Sequence, residues 1–167
     1  MLEKRGAVLE TARRVSDVFR RAGIDAPIIG GVAVVLHGHV RTTVDVDVYV
    51  ASDLEEAAGA LEDAGLKFDA NKREFLAGKV PVHLIEPRLA QPTPKRRSEI
   101  EEITTVSLAD LINLKLKTGT TRVVRAQDLA DVIGLIRANN LTVAFAPRIA
   151  KELRSEFKRL VKAVAES

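Results

Sequence analysis

The tightest constraint on how this chain can fold is a run in which valine and aspartate alternate, Val44-Asp45-Val46-Asp47-Val48-Tyr49-Val50. Successive residues of a strand point to opposite faces, so Asp45 and Asp47 stand side by side while Val44, Val46, Val48 and Val50 face the other way. Such a strand needs a core against its valines and positive charge near its acids. Two adjacent carboxylates repel each other, and a hard divalent cation, Mg2+ or Mn2+, relieves the repulsion. Upstream, Ile28-Ile29 reads as a short strand, Gly30-Gly31 as a turn and Val32 to Leu36 as a short buried helix stopped by Gly38. The stretch from 28 to 50 therefore predicts strand, glycine turn, helix and acidic strand folded back on one another.

The flanking sequence supplies cover for that unit. From Leu2 to Ala22 apolar residues recur at three and four residue spacing, an amphipathic helix ended by Gly23. Ser52 and Asp53 suit an N-cap for a helix from Leu54 to Ala64, which Gly65 ends. Lys67 to Ala70, Glu74 to Ala77 and Val80 to Ile85 read as strands, the last two joined at Gly78-Lys79, and Pro81 suggests an edge or a bulge. The segment from Pro87 to Ser98 carries three prolines and several cations, and reads as part of a basic linker loop over 88–106. Helices follow at Leu108–Lys117, ended by Gly119, at Arg122–Ala138, and from Pro147 onward. The expected architecture is an α/β (α+β) fold, one domain with a mixed sheet flanked by helices. Residues 1–87 form its core and 107–167 a helical subregion.

Composition excludes more than it selects. With 167 residues the chain can bury a sizeable core, and with no cysteine it offers neither disulfides nor thiolate metal sites. No apolar run reaches the roughly 20 residues of a membrane span, so the expectation is a cytoplasmic protein. The net charge of +3 does not demand a nucleic-acid partner. Its distribution is more pointed: Arg88, Lys95, Arg96 and Arg97 gather in the linker and further cations line the last helix, a surface that attracts phosphate or is simply solvated. Aromatic residues make up 4% of the chain, too few for a base-stacking platform.

Three further features bear on chemistry. A glycine pair between strand and helix leaves the backbone open to a phosphate at the helix N-terminus, and equally suits a tight connection. Arg41, followed by Thr42 and Thr43, can meet a phosphate or pair with an aspartate. His37 and His39 flank Gly38 without the spacing of a zinc site, which leaves packing or local hydrogen bonding.

Taken together, Gly30-Gly31, Ala33, His37-Gly38, Arg41, Thr43, Asp45 and Asp47 spell GGxAxxxHGxxRxTxDxD. This pattern resembles the signature of the nucleotidyltransferase superfamily of polymerase beta-like fold, and most closely the small bacterial AbiEii/AbiGii toxin-like proteins. The resemblance implies that the glycines, Arg41 and Thr43 bind the phosphates of a nucleoside triphosphate. It implies that Asp45 and Asp47 hold Mg2+ or Mn2+, and that an RNA, protein or small-molecule hydroxyl is the acceptor, with a cognate antitoxin or partner protein in view. LINLKLKTGTTRVVRAQDLADV is similar to the family's lysine helix and R-x-K-D-x-x-D segment. That likeness places Lys115 and Asp128 at the nucleotide with Arg125 and Asp131 nearby, and Gln127 where lysine is common. Read without the resemblance, Lys115 and Asp128 are ordinary surface or ion-pair residues. The family usually sets a third carboxylate at the position of His83, where a neutral imidazole can ligate a metal or act as a base. Glu86 replaces it only if Pro87 bends the chain.

Overall fold

The computed structural model describes residues 2–117 and 122–167. Among the described residues six α-helices and seven strands follow one another as α1 (Leu2–Ala22), β1 (Ile28–Ile29), α2 (Gly30–Leu36), β2 (Val46–Tyr49), α3 (Leu54–Asp63), β3 (Lys67–Asp69), β4 (Glu74–Ala77), β5 (Val80–Ile85), β6 (Arg97–Ile100), β7 (Ile103–Val106), α4 (Leu108–Lys117), α5 (Arg122–Ala138) and α6 (Arg154–Ala165). The strands form one mixed sheet in the order β3-β4-β5-β2-β1-β7-β6. The expected α/β architecture is thus present, and no described helix is long and apolar enough to cross a membrane. The helix stop expected at Gly119 lies outside the described residues.

The strand periodicity sorts side chains onto two cores. Val46, Val48 and Val50 of β2 and its extension join Ile28, Val82 and Phe75 beneath α1 and α3, which contribute Val8, Val15, Phe19, Ala57 and Leu61. Ile29 and Tyr49 face the opposite side, under Leu111, Leu114, Val132, Leu135 and Phe157 of the three C-terminal helices. α2 crosses between the layers, sending Val32 to the first core and Ala33 and Val34 to the second. Asp45 and Asp47 therefore lie on the face that carries the C-terminal helices.

Four expectations are corrected. Val44 is 62% exposed, because β2 begins only at Val46 and residues 41–45 approach it as loop. Pro81 is not on an edge: β5 lies between β4 and β2, and its parallel ladder with β2 starts at Val82, so no partner needs the missing N–H. The 88–106 segment is not all linker, since Arg97–Ile100 and Ile103–Val106 pair as a hairpin that continues the sheet beyond β1 through Ile28 and Thr105. Its turn is Glu101-Glu102, both at positive φ (51° and 67°), a geometry that Asn and Gly ordinarily signal. Finally, the last helix does not open at Pro147. That proline lies within a 3-10 segment, Val143–Arg148, and the chain extends at Ile149 before α6, where Asn113 Oδ1 accepts the Ala150 N–H at 2.9 Å.

Candidate metal centre

Strand register builds the site. Parallel pairing of β2 with β5 sets Asp47 beside His83, and antiparallel pairing of β1 with β2 sets Asp47 beside Ile29, the residue before the glycines. On the other side of β5 the hairpin pairs Phe75 with Val82, and one step further along that register Glu74 stands opposite His83. His83 is thus flanked by an acid on each neighbouring strand. Its Nδ1 is 3.0 Å from Asp47 Oδ1 and 3.8 Å from Asp45 Oδ2, and its Nε2 is 2.9 Å from Glu74 Oε2.

The structure brings Asp45, Asp47 and His83 together. One ligand atom from each lies within 4.8 Å of the others, and all three are partly open to solvent. Glu74, 11% exposed, accepts from Nε2 and so selects the tautomer whose Nδ1 lone pair points at the aspartates, the carboxylate–histidine–metal arrangement that orients a ligand. Without a cation, both ring nitrogens can bond their carboxylates only if the ring is protonated. Burial opposes that charge, but the hydrogen bonds to Glu74 and Asp47 and the charges of Asp47 and Asp45 outweigh it and raise the pKa above 6.5. Burial, then the charge of Asp45, raises the pKa of Asp47, against the His83 hydrogen bond and charge and the charge of Lys115. The acid pair is short of positive charge, and the donor set of two carboxylates and one imidazole fits a divalent cation. The imidazole favours Mn2+ over Mg2+ more than a third carboxylate would.

The glycine pair has a visible cause. Gly30 sits at φ +68°, and a Cβ there would lie 2.5 Å from Asp47 Oδ2. A Cβ on Gly31 would lie 2.6 Å from Thr43 Oγ1 and 2.9 Å from Arg41 Nη2. The start of α2 is therefore pressed against the acid on one side and against Arg41 and Thr43 on the other, which only glycine permits.

Arg41, Lys115 and Asp128 also come together, around a residue given only a neighbouring place in the sequence reading. Asp131, fully buried on α5, receives Arg41 Nη2 at 3.2 Å, Lys115 Nζ at 3.0 Å and Gln127 Nε2 at 3.0 Å. Arg41 Nε lies 2.8 Å from Asp131 Oδ1 without hydrogen-bond alignment, and is the buried side-chain nitrogen left unsatisfied among the described residues. Lys115 also reaches Asp128 at 3.2 Å. Arg125 turns instead to Glu156 of α6 and the Leu116 carbonyl. Glu86 does not join the acids: it pairs with Arg88 at 2.8 Å. The two other histidines are local, His37 Nε2 bonding the Val106 carbonyl at 2.8 Å and His39 lying on Gly134. Glu74 escaped the sequence reading, although a two-residue turn at Gly78-Lys79 already fixes Ala77 opposite Val80 and hence Glu74 opposite His83.

No protein-family model matches the chain, and no curated protein matches it in sequence. Solved structures do match its fold. An antigenic nucleotidyltransferase-like protein from Paracoccidioides brasiliensis is 16% identical with a TM-score of 0.61, over 96% of this chain and 90% of the other. JHP933 from Helicobacter pylori is 13% identical with a TM-score of 0.59, over 96% and 91%. A putative nucleotidyltransferase from H. pylori is 13% identical with a TM-score of 0.58, over 94% and 93%. The seven-stranded mixed sheet flanked by helices has the fold of these nucleotidyltransferase-like proteins.

Proposed function

We propose that this protein is a metal-dependent nucleotidyltransferase that moves a nucleoside monophosphate from a nucleoside triphosphate to a hydroxyl on RNA, protein or a small molecule, the hydroxyl losing its proton and pyrophosphate departing. The observation that carries the reading is the convergence of Asp45, Asp47 and His83 beside Gly30-Gly31. Asp45, Asp47 and the Nδ1 of His83 hold the cation, with Glu74 fixing the ring. A bound Mg2+ or Mn2+ supplies Lewis-acid stabilisation of the reacting phosphate. Gly30 and Gly31 keep the helix start free of side chains, so its N–H groups face the phosphates, while Thr43 lines the same edge. Lys115 lends its charge to the acid side, since Asp47 already feels it, and Asp128 and Asp131 hold that lysine in place. Arg41, anchored on Asp131, is set beside Gly31 to meet a phosphate. A kinship with AbiEii/AbiGii-type toxins and a cognate antitoxin partner belong to the same proposal and follow from the sequence resemblance, and a cytoplasmic setting is proposed from the composition.

One observation favours a second reading, in which the fold binds nucleotide without turnover: both nitrogens of His83 are committed to carboxylates, where a third acid would leave the centre more negative. The test is incubation with each α-labelled nucleoside triphosphate, Mn2+ or Mg2+, and a pool of RNA and protein acceptors. Transfer that disappears in Asp45→Asn and Asp47→Asn supports the transferase. Metal-dependent nucleotide binding without label transfer to any acceptor supports the second reading, and no binding at all contradicts both.

A further inference from the structure

Of the four cations clustered in the 88–97 segment, two are spoken for. Arg88 pairs with Glu86, and Arg97 forms a two-pronged contact with Asp25 at 3.0 Å through each arm. Lys95 and Arg96 are exposed and have no carboxylate partner among the described residues. Both line a groove of about 750 Å³ whose other wall is the irregular segment before α6, and that wall brings Arg148, Lys151 and Arg154. Arg154 is held there by the carbonyls of Ile149 and Pro147. The one carboxylate of the groove, Asp110, is already occupied: it accepts the backbone N–H groups of Lys95 and Arg96 at 2.9 and 2.8 Å. Among the described residues five cationic side chains thus line a concave space that holds a single carboxylate, Asp110.

The groove is separate from the metal centre. Its α4 wall runs from Leu108 to Asn113, and Lys115, two residues beyond Asn113, is turned about 200° around the helix towards Asp128 and Asp131. His37, which also borders the groove, ends α2, and Gly30 begins α2 at the acids.

We propose that this groove binds the phosphodiester backbone of a single-stranded polynucleotide. Opposed walls of cations suit a chain of phosphates passing between them, and guanidinium groups meet phosphate oxygens in pairs. An acidic protein partner is less well matched, because interface cores rely on exposed aromatic and apolar anchors. The aromatic side chain of this groove, Phe145, is covered by the Arg148 guanidinium 5.7 Å from its ring centre. The groove's charge stands on its own, so the binding is independent of any transfer at Asp45 and Asp47.

The experiment measures fluorescence anisotropy of labelled twelve-residue single-stranded RNA and DNA of mixed sequence, in EDTA, against salt concentration. Expected are dissociation constants on the order of 10⁻⁴ to 10⁻⁶ M at physiological salt and a log–log salt slope of about −3, as four phosphate contacts at roughly 0.7 each give. The double variant Arg148→Glu, Lys151→Glu weakens binding at least about tenfold and flattens the slope by roughly 1.4. Lys67→Glu with Lys72→Glu, the same charge change at the far edge of the sheet, stays near wild type. Equal affinity for RNA and DNA indicates phosphate recognition alone, and a preference for RNA adds the 2′-hydroxyl; either supports the groove. Photocrosslinks from 4-thiouridine RNA to the wild-type protein map to 92–96 and 145–154, which keeps the test independent of how the variants fold. Equal losses in both double variants, crosslinks elsewhere, or polyglutamate displacing the RNA at equal concentration would overturn the proposal.

Discussion

Two clusters of acids and bases lie close together in this molecule, and they are built to opposite specifications. Around Asp131 a fully buried carboxylate receives a guanidinium, an ammonium and an amide, and its partners are themselves fixed by it. Around Asp47 a second carboxylate, Asp45, stands just before β2, both partly open to solvent, with one histidine between three acids, and Asp47 is held above its ordinary pKa by burial and by Asp45. A charge-balanced cluster stabilises a fold, whereas an under-compensated one stores a demand for positive charge that a ligand can meet. The first holds α5 and α4 to the 41–43 loop; the second is where chemistry can occur.

The contrast predicts opposite mutational outcomes, and the largest is at the buried cluster. Asp131→Ala leaves Arg41 and Lys115 without their central partner and should cost about 3–5 kcal/mol in urea unfolding. Asp45→Asn relieves a like-charge contact and should leave unfolding free energy within about 1 kcal/mol of wild type. If the two variants lost similar stability, the distinction would fail.

Gly30→Ala comes next. The residue sits at φ +68° and its new Cβ would press on Asp47 Oδ2, so a loss of about 2 kcal/mol or more is expected, together with weakened Mn2+ binding by calorimetry. Glu74→Gln is a sharper probe, since it keeps the shape and removes the charge that orients His83. Mn2+ affinity should fall about 10–100-fold while unfolding free energy changes little, the signature of a positioning residue. The smallest effect concerns His37, whose pKa burial lowers, against the hydrogen bond to Val106. Its unfolded form takes up a proton below about pH 6.5 while the folded form resists, so its contribution is present above that pH and is lost as pH falls below it. The difference in stability between wild type and His37→Asn should therefore shrink by about 1 kcal/mol or less between pH 7 and 5.

Much of the acidic centre was legible because strand periodicity is local. Asp45 and Asp47 share a face, the glycines precede a helix, and the valines at 46, 48 and 50 are buried as the alternation requires. What escaped depended on register or on tertiary override. Asp131 gains its place from helix packing, which no short window contains, whereas Glu74 gains its place from the register that the Gly78-Lys79 turn sets between β4 and β5. Glu101-Glu102 adopts a turn without the usual residues, so the hairpin at the sheet edge read as loop. Val44 belonged to the alternation but not to the strand, because pairing of β2 with its neighbours starts at Val46.

The Asp45, Asp47 and His83 cluster is proposed to hold a divalent cation. Thermal unfolding of the wild type and of Asp45→Asn across a Mn2+ titration tests it most directly. Binding to the folded state alone should stabilise the wild type by about 2.7 kcal/mol at a hundredfold excess over Kd, and Asp45→Asn should gain almost none of it. Equal stabilisation of both proteins, or of neither, would contradict the account.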